Sequence, residues 1–115
     1  MPAPQRHRIK RNDTLPTIVF TVTDENGEAL DLTGCGAVFL MYTDDTVRTE
    51  VVNEDAVITS PETDGVVAYG WSGDDTATAG EFLAEVSITF PDGGVMTFPQ
   101  EGFVHVTIAA DLDDA

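Results

Sequence analysis

The sequence predicts an all-β protein, an antiparallel Ig-like β-sandwich of seven to eight strands with an extended basic N-terminal arm. Short runs of alternating apolar and polar residues recur along the chain. Turn-forming Gly, Pro, Asn and Asp separate them at about every 8–12 residues, and no long segment has the 3.6-residue period of a helix. We expect one sandwich domain over residues 12–109, preceded by a flexible arm (1–11) and followed by an acidic tail (110–115).

The first predicted strands are separated by two turn signals. Residues 18–23 show a strand pattern, with Ile18, Phe20 and Val22 on one face, and the Asn26-Gly27 pair after them suits the positive φ angles of a tight hairpin turn. Residues 31–34 predict a second turn, because their acidic and hydroxyl side chains can bond nearby backbone. Residues 37–43 are apolar on both faces, so this strand should be central in its sheet or half covered by another subunit.

The remaining strands follow the same alternation. We expect them at residues 47–52, 56–59, 66–71, 81–90, 95–98 and 103–108. The strand at 81–90 is the clearest, because its even-numbered residues are apolar and most residues between them are polar. Residues 74–80 are small and predict a helical turn. Tyr69 and Trp71 share one face of their strand, and together with Tyr42 they suit a core edge or a protein interface.

Charge is segregated along the chain. Four of the five basic residues precede the first acidic residue: Arg6, Arg8, Lys10 and Arg11. Beyond them Arg48 is the only cation, against all 21 Asp and Glu residues. We predict that the basic arm binds an acidic neighbour, such as another copy of the chain, and orders on contact. The alternative is a first edge strand that neutralises its own domain.

The net charge of −16 restricts both solvent and partners. Such a body repels itself at ordinary ionic strength, whereas at about 1 M salt the screening length falls to roughly 3 Å. We therefore expect a protein that works in concentrated salt; an acidic protein of an ordinary cytoplasm is the alternative. Nucleic acid and anionic membranes would be repelled, so neither is an expected partner. No run of 18 apolar residues and no signal-peptide pattern is present.

Catalytic signatures are absent from the sequence. It contains no Gly-rich phosphate loop, no H-E-x-x-H motif and no pair of cysteines, so we expect no catalytic residue and no cofactor. Cys35 has no obvious base and is interpreted as a small buried residue, and His105 as an ordinary strand residue. The doublets at 44–45 and 74–75 raise the alternative of a Ca²⁺ site assembled from loops. Solvated surface charge is the simpler interpretation, and no metal ligand is assigned.

Several short motifs, taken in order, resemble the N-terminal domain family of phage baseplate upper proteins. The resemblance runs from about residue 9 to residue 108. It is carried by KRNDTLP (10–16), TVTD (21–24), DLTG (31–34), YGW (69–71), DT (75–76), Gly80 with Glu85, Phe90 with DG (92–93), and TFP (97–99).

The resemblance implies a non-catalytic virion structural protein of a tailed virus. Such a protein would assemble in the host cytoplasm and pack in several copies, against other virion proteins, in the tail or baseplate. In that family a projecting portion holding receptor-binding subunits follows the domain, whereas this chain ends at Ala115. We therefore expect an anchoring role, and we expect deletion of residues 1–11 to leave a folded monomer that no longer assembles.

Two alternatives to the tail or baseplate role remain open at this point. The first is a capsid (head) decoration or connector protein of the same virion. The second is a small carbohydrate-binding module, because β-sandwiches can present aromatic side chains to sugar rings. That module would need Tyr69 and Trp71 exposed and coplanar.

Overall fold

The computed structural model describes residues 6–112, which form nine strands in two sheets and one short 3₁₀ turn at Glu62–Asp64. The strands are β1 (Arg6–Lys10), β2 (Ile18–Thr21), β3 (Gly36–Thr43), β4 (Glu50–Asp55), β5 (Val57–Ile58), β6 (Val66–Tyr69), β7 (Gly80–Thr89), β8 (Val95–Phe98) and β9 (Val104–Ala109). The all-β prediction is confirmed. Residues 1–5 of the predicted arm and 113–115 of the predicted tail lie outside the described residues.

The larger sheet has six strands in the order β1-β9-β7-β3-β4, with β8 paired to β7. Every pair in it is antiparallel except β1 with β9, which run parallel. The smaller sheet is antiparallel in the order β2-β6-β5. Strand β3 lies between β7 and β4, which confirms the prediction that the strand apolar on both faces is central in its sheet.

Both sheets contribute to a single hydrophobic core. Phe20 and Val67 come from the smaller sheet, and Phe39, Val86 and Ile88 from the larger one; all five are fully buried. The Phe20 and Phe39 rings lie 6.0 Å apart in a tilted arrangement. Each such side chain contributes roughly 1.5–3 kcal/mol by leaving water, so the alternation read from the sequence accounts for the packing of the two sheets.

The turn predicted at Asn26-Gly27 is present, but only Gly27 adopts a positive φ, of 83°. The Asp24 carboxylate accepts hydrogen bonds from the backbone N–H of Asn26 (2.8 Å) and of Glu28 (3.0 Å). An isolated bridge between Thr23 and Ala29 closes the loop. The hairpin therefore depends on one glycine and on an aspartate that caps two amides, not on a two-residue Asn-Gly turn.

The prediction of a flexible arm over residues 1–11 is wrong for residues 6–10, which form strand β1. Its alternative, an edge strand of the domain itself, is the arrangement observed. The cause is Ile9, which is 3% exposed and belongs to the core, so the strand is held by apolar burial as well as by its ladder with β9. Residues 6–10 therefore belong to the folded domain, which the sequence predicted to start at residue 12.

Smaller differences separate the other predictions from the structure. The strand expected at 47–52 begins only at Glu50, and the strand at 56–59 is the two-residue β5. The helical turn expected at 74–80 is limited to turns at residues 73–76, where the Asp75 N–H donates to the Ser72 carbonyl (3.1 Å), and Gly80 already belongs to β7. No helix in residues 6–112 combines the length and apolar character that a membrane span requires.

Candidate functional site

The motifs KRNDTLP (10–16) and DT (75–76) are distant in sequence but contact each other in the structure. The Thr76 side chain is fully buried, and its hydroxyl donates a hydrogen bond to the Asp13 carbonyl at 2.8 Å. The Thr76 carbonyl accepts in turn from the backbone N–H of Asn12 at 2.9 Å. Asn12 has a φ of 65°, the left-handed conformation that Asn tolerates better than most residues. These motifs therefore fix the connection from β1 to β2, which is a structural role.

Tyr69 and Trp71 lie in the core, which agrees with the core-edge alternative of their prediction and leaves little of either side chain exposed for an interface. They are 7% and 5% exposed. The Tyr69 ring stacks on Phe39 with centroids 4.4 Å apart, and it meets Trp71 edge-on at 86°. Buried and perpendicular rings do not meet the requirement of the carbohydrate-binding alternative for exposed, coplanar aromatics.

An aspartate explains how the Tyr69 hydroxyl tolerates burial. The hydroxyl donates a hydrogen bond to Oδ2 of Asp75 at 2.6 Å. That carboxylate oxygen also accepts a hydrogen bond from the backbone N–H of Ser72 at 2.9 Å. Burial first, and then the Asp75 carboxylate, raises the pKa of Tyr69. The phenol therefore stays protonated and acts as a fixed donor between the core and the turn after β6.

His7 packs beside Trp71 on the inner side of β1, with ring centroids 5.7 Å apart. Burial lowers the pKa of His7, and a hydrogen bond to the Pro16 backbone opposes that shift. Its Nε2 atom and the Nε1 atom of Trp71 are both buried without a hydrogen-bond partner among residues 6–112. His7 therefore belongs to the packing of β1 and not to its basic surface.

Tyr42 is the one predicted interface aromatic that reaches a surface. It is half-buried on the outer face of the larger sheet, and its hydroxyl donates to the Glu50 carboxylate at 3.1 Å. That hydrogen bond raises the pKa of Tyr42. Nearby, the Arg48 guanidinium carbon lies 5.0 Å from the Phe103 ring centroid, within cation–π range. Six residues line this outer groove of about 370 Å³: Leu40, Tyr42, Arg48, Leu83, Glu85 and Phe103.

Three of the four predicted arm residues form one exposed row. Arg6, Arg8 and Lys10 alternate with the inward-facing His7 and Ile9, so they lie on the outer face of β1. This row, on the open edge of the larger sheet, is termed the basic edge. Arg11 does not belong to it, because it is half-buried after the strand ends.

The opposite edge of the same sheet is acidic, a feature that the sequence analysis missed. Strand β4 exposes Glu50, Glu54 and Asp55 and pairs with β3 on one side only. This strand is termed the acidic edge. The segment EVVNED is visible in the sequence, but its place at the end of the sheet farthest from β1 depends on strand order.

The sequence also singles out the side chains of Cys35 and His105 as reactive groups. Cys35 is half-buried, less than predicted, and burial together with the charges of Asp31 and Asp92 raises the pKa of its thiol. A thiol held protonated is a poor nucleophile. His105 is half-buried on β9. Within residues 6–112 no group of three or more His, Cys, Asp and Glu residues is placed to hold a metal ion.

Comparison with protein-family models and with curated proteins finds no match to either.

Proposed function

We propose that the chain is a non-catalytic structural protein of a tailed virus, a tail or baseplate component that packs in several copies. The viral assignment rests on the ordered motifs of the sequence. The packing role rests on one observation: the larger sheet ends in a basic edge on one side and an acidic edge on the other. Open edge strands are ready-made sites for association with other chains.

The strand order supports an Ig-like β-sandwich. The order β2-β6-β5 corresponds to strands B, E and D of immunoglobulin domains, and β9-β7-β3-β4 corresponds to strands G, F, C and C′. The chain visits these strands in the same sequence. Strand β1 adds to the G side, and β8 is an extra short strand beside β7. This type of fold serves many unrelated functions, so it is compatible with a structural role and does not specify one.

The outer groove supports contact with neighbouring proteins. Its floor includes half-buried Leu40 and Tyr42, and its rim carries Arg48, the one cation that follows the basic edge and Arg11 in the chain. An apolar floor with a charged rim is typical of the centre and border of a protein interface. A neighbouring virion protein covering this groove would bury the outer side of β3.

The acidic body supports a halophilic host for the virus. With a net charge of −16, the domain is relieved of most long-range repulsion only when salt is concentrated. The head-decoration or connector alternative uses the same surfaces and differs in the location of the protein within the particle.

The test is an inventory of purified virus. Heads and tails are separated, their proteins are identified by mass spectrometry, and intact particles are labelled with antibody for electron microscopy. We expect the chain in the tail fraction at several copies per particle. Recovery with the heads would instead favour the decoration protein. A chain found only as a free cellular protein, with no particle containing it, would overturn the proposal.

A further inference from the structure

We propose that copies of this chain join head to tail, with the basic edge of one copy pairing with the acidic edge of the next. The partner is a second copy of the chain, and the larger sheet continues from one copy into the other. This inference rests on the packing role proposed above, and it does not depend on a viral origin. Four properties of the two edge strands carry it.

The first property is that β1 has backbone N–H and C=O groups that point away from its neighbour β9. The N–H of Arg11, just past the strand, donates to the Ala109 carbonyl of β9 at 2.8 Å. Backbone groups of alternate residues point to opposite sides of a strand, so those of Arg6 and Arg8 point away from β9. Arg6 and Arg8 therefore carry both a cationic side chain and backbone groups that are open to a further strand.

The second property is the matching arrangement on β4. The N–H of Ala56 donates to the Ala37 carbonyl of β3 at 2.9 Å, so the backbone groups of Asn53 and Asp55 point away from β3. Both open edges belong to one sheet and lie at its two ends. A pairing between copies can therefore extend the ladder without breaking any pair within a copy.

The third property is charge. Strand β1 carries three cations and strand β4 three anions, all exposed. Pairing β1 with β1, or β4 with β4, would place like charges directly opposite, which destabilises a strand pair. Only the unlike pair is favourable. The charges therefore disfavour symmetric dimers in which β1 pairs with β1 or β4 pairs with β4, and they favour pairing of β1 with β4.

The fourth property is direction and register. Strands β1 and β4 run in opposite directions within one copy, so continuing the sheet brings them together antiparallel. With Arg6 opposite Asp55, Arg8 falls opposite Asn53 and the open backbone groups face one another. The same register places Ile9 opposite Val52, both of which are buried on the inner face. A slip of one residue would turn every side chain to the wrong face.

A contact between two different surfaces repeats from copy to copy. It closes into a ring if the rotation per copy divides a full turn, and otherwise forms a helical filament. The assembly is therefore expected to grow beyond a dimer.

The first arm of the test is charge reversal, measured by sedimentation in about 1 M NaCl, where long-range repulsion is screened. The acidic edge is reversed by Glu50→Lys, Glu54→Lys and Asp55→Lys. Each substitution adds two charges, so the net charge changes from −16 to −10 and general repulsion falls. We nevertheless expect association to weaken by about tenfold or more, because Arg6 would then lie opposite a lysine at position 55 and the two other reversed positions would add positive charge beside the basic edge.

A matched control carries the same net charge without touching either edge. It places lysine at three exposed loop positions: Glu25→Lys, Glu28→Lys and Glu101→Lys. This control should associate at least as well as the wild type. A variant that also reverses the basic edge, through Arg6→Glu, Arg8→Glu and Lys10→Glu, should regain association. Equal association of all variants, or no rescue by the double reversal, would overturn the proposal.

The second arm tests the register and uses the Cys35→Ser background. Directly opposite residues in a hydrogen-bonded antiparallel pair have Cα atoms about 5.5 Å apart, a distance that suits a disulfide. Under oxidation Arg8→Cys with Asn53→Cys should give a ladder of covalent oligomers. Arg8→Cys with Glu54→Cys should give little, because its second cysteine points to the other face. A wild type that stays monomeric and an Arg8–Asn53 pair that forms no ladder would overturn the proposal.

The proposed function and the head-to-tail pairing can be contradicted independently of each other. A chain present in virus particles but monomeric, with no ladder, would remove head-to-tail pairing and leave the proposed function standing. A chain that forms the ladder but is absent from particles would do the reverse.

Discussion

At the level of single residues, two buried hydroxyl groups each have a hydrogen-bond partner. The Thr76 hydroxyl is paired with the Asp13 carbonyl, and the Tyr69 hydroxyl with the Asp75 carboxylate. Leaving such a group unpaired costs about 1–3 kcal/mol, so these partners are what allow burial. The alternation of residues 66–71 places Tyr69 and Trp71 on one face but does not say which way that face points. The carboxylate of Asp75 gives the tyrosine a satisfied position inside.

The burial of His7 leads to a prediction about how folding stability depends on pH. Burial lowers its pKa below the ordinary value of 6.5, so between the folded pKa and pH 6.5 the unfolded chain binds more protons than the folded one. Stability from neutral His7 is therefore present above pH 6.5 and is lost as the pH falls through the folded pKa. Urea unfolding of the wild type and of His7→Gln, measured from pH 8 to pH 5, should show this loss in the wild type only.

The comparison with His7→Gln is needed because the carboxylates also titrate at low pH, and they do so equally in both proteins. Parallel stability curves for the two proteins across this range would contradict a role for His7 burial.

At the scale of elements, β1 combines two functions in five residues. Its odd-numbered residues face inward, and Ile9 is anchored in the core, while its even-numbered residues present three cations to solvent. The expectation that residues 1–11 can be deleted without harm to the fold is therefore revised. Deletion removes an edge strand and a core side chain together, so it cannot separate assembly from folding.

The substitution Ile9→Ala tests the anchoring of β1. A buried isoleucine truncated to alanine costs about 2–5 kcal/mol, from lost burial and the cavity left behind. The matched control is Leu15→Ala, because Leu15 is 70% exposed, and it should change stability by less than about 0.5 kcal/mol. Denaturant unfolding measures both. Equal effects of the two substitutions would mean that β1 is not held by Ile9.

At the scale of the whole molecule, charge and fold oppose each other. The hydrophobic core between the two sheets is ordinary for a small domain, but the chain as a whole has a net charge of −16. Self-repulsion of that size destabilises the compact state and opposes association between copies. Screening by salt relieves both effects, and the contacting pairs at the two edges keep more of their attraction because they are close together.

Raising NaCl from about 0.1 M to 2 M should therefore raise the midpoint of thermal unfolding, as the screening length falls from about 10 Å to below roughly 3 Å. The same series near pH 4, where about half of the carboxylates are protonated, serves as a control and should show a smaller rise. A midpoint at neutral pH that stays flat or falls would remove the high-salt argument.

The amino-acid sequence alone is enough to predict the all-β fold, the central position of β3, the inward faces of β7 and the turns at Gly27 and Gly34, because alternation and turn chemistry are local properties. It also determined the uneven distribution of charge. The folded structure was needed to establish that β1 is an edge strand, that Tyr69 and Trp71 face inward, and that a basic and an acidic strand lie at opposite ends of one sheet. Strand order and the facing of a sheet depend on contacts between residues far apart in the chain, and the period of side chains along a single strand carries no information about them.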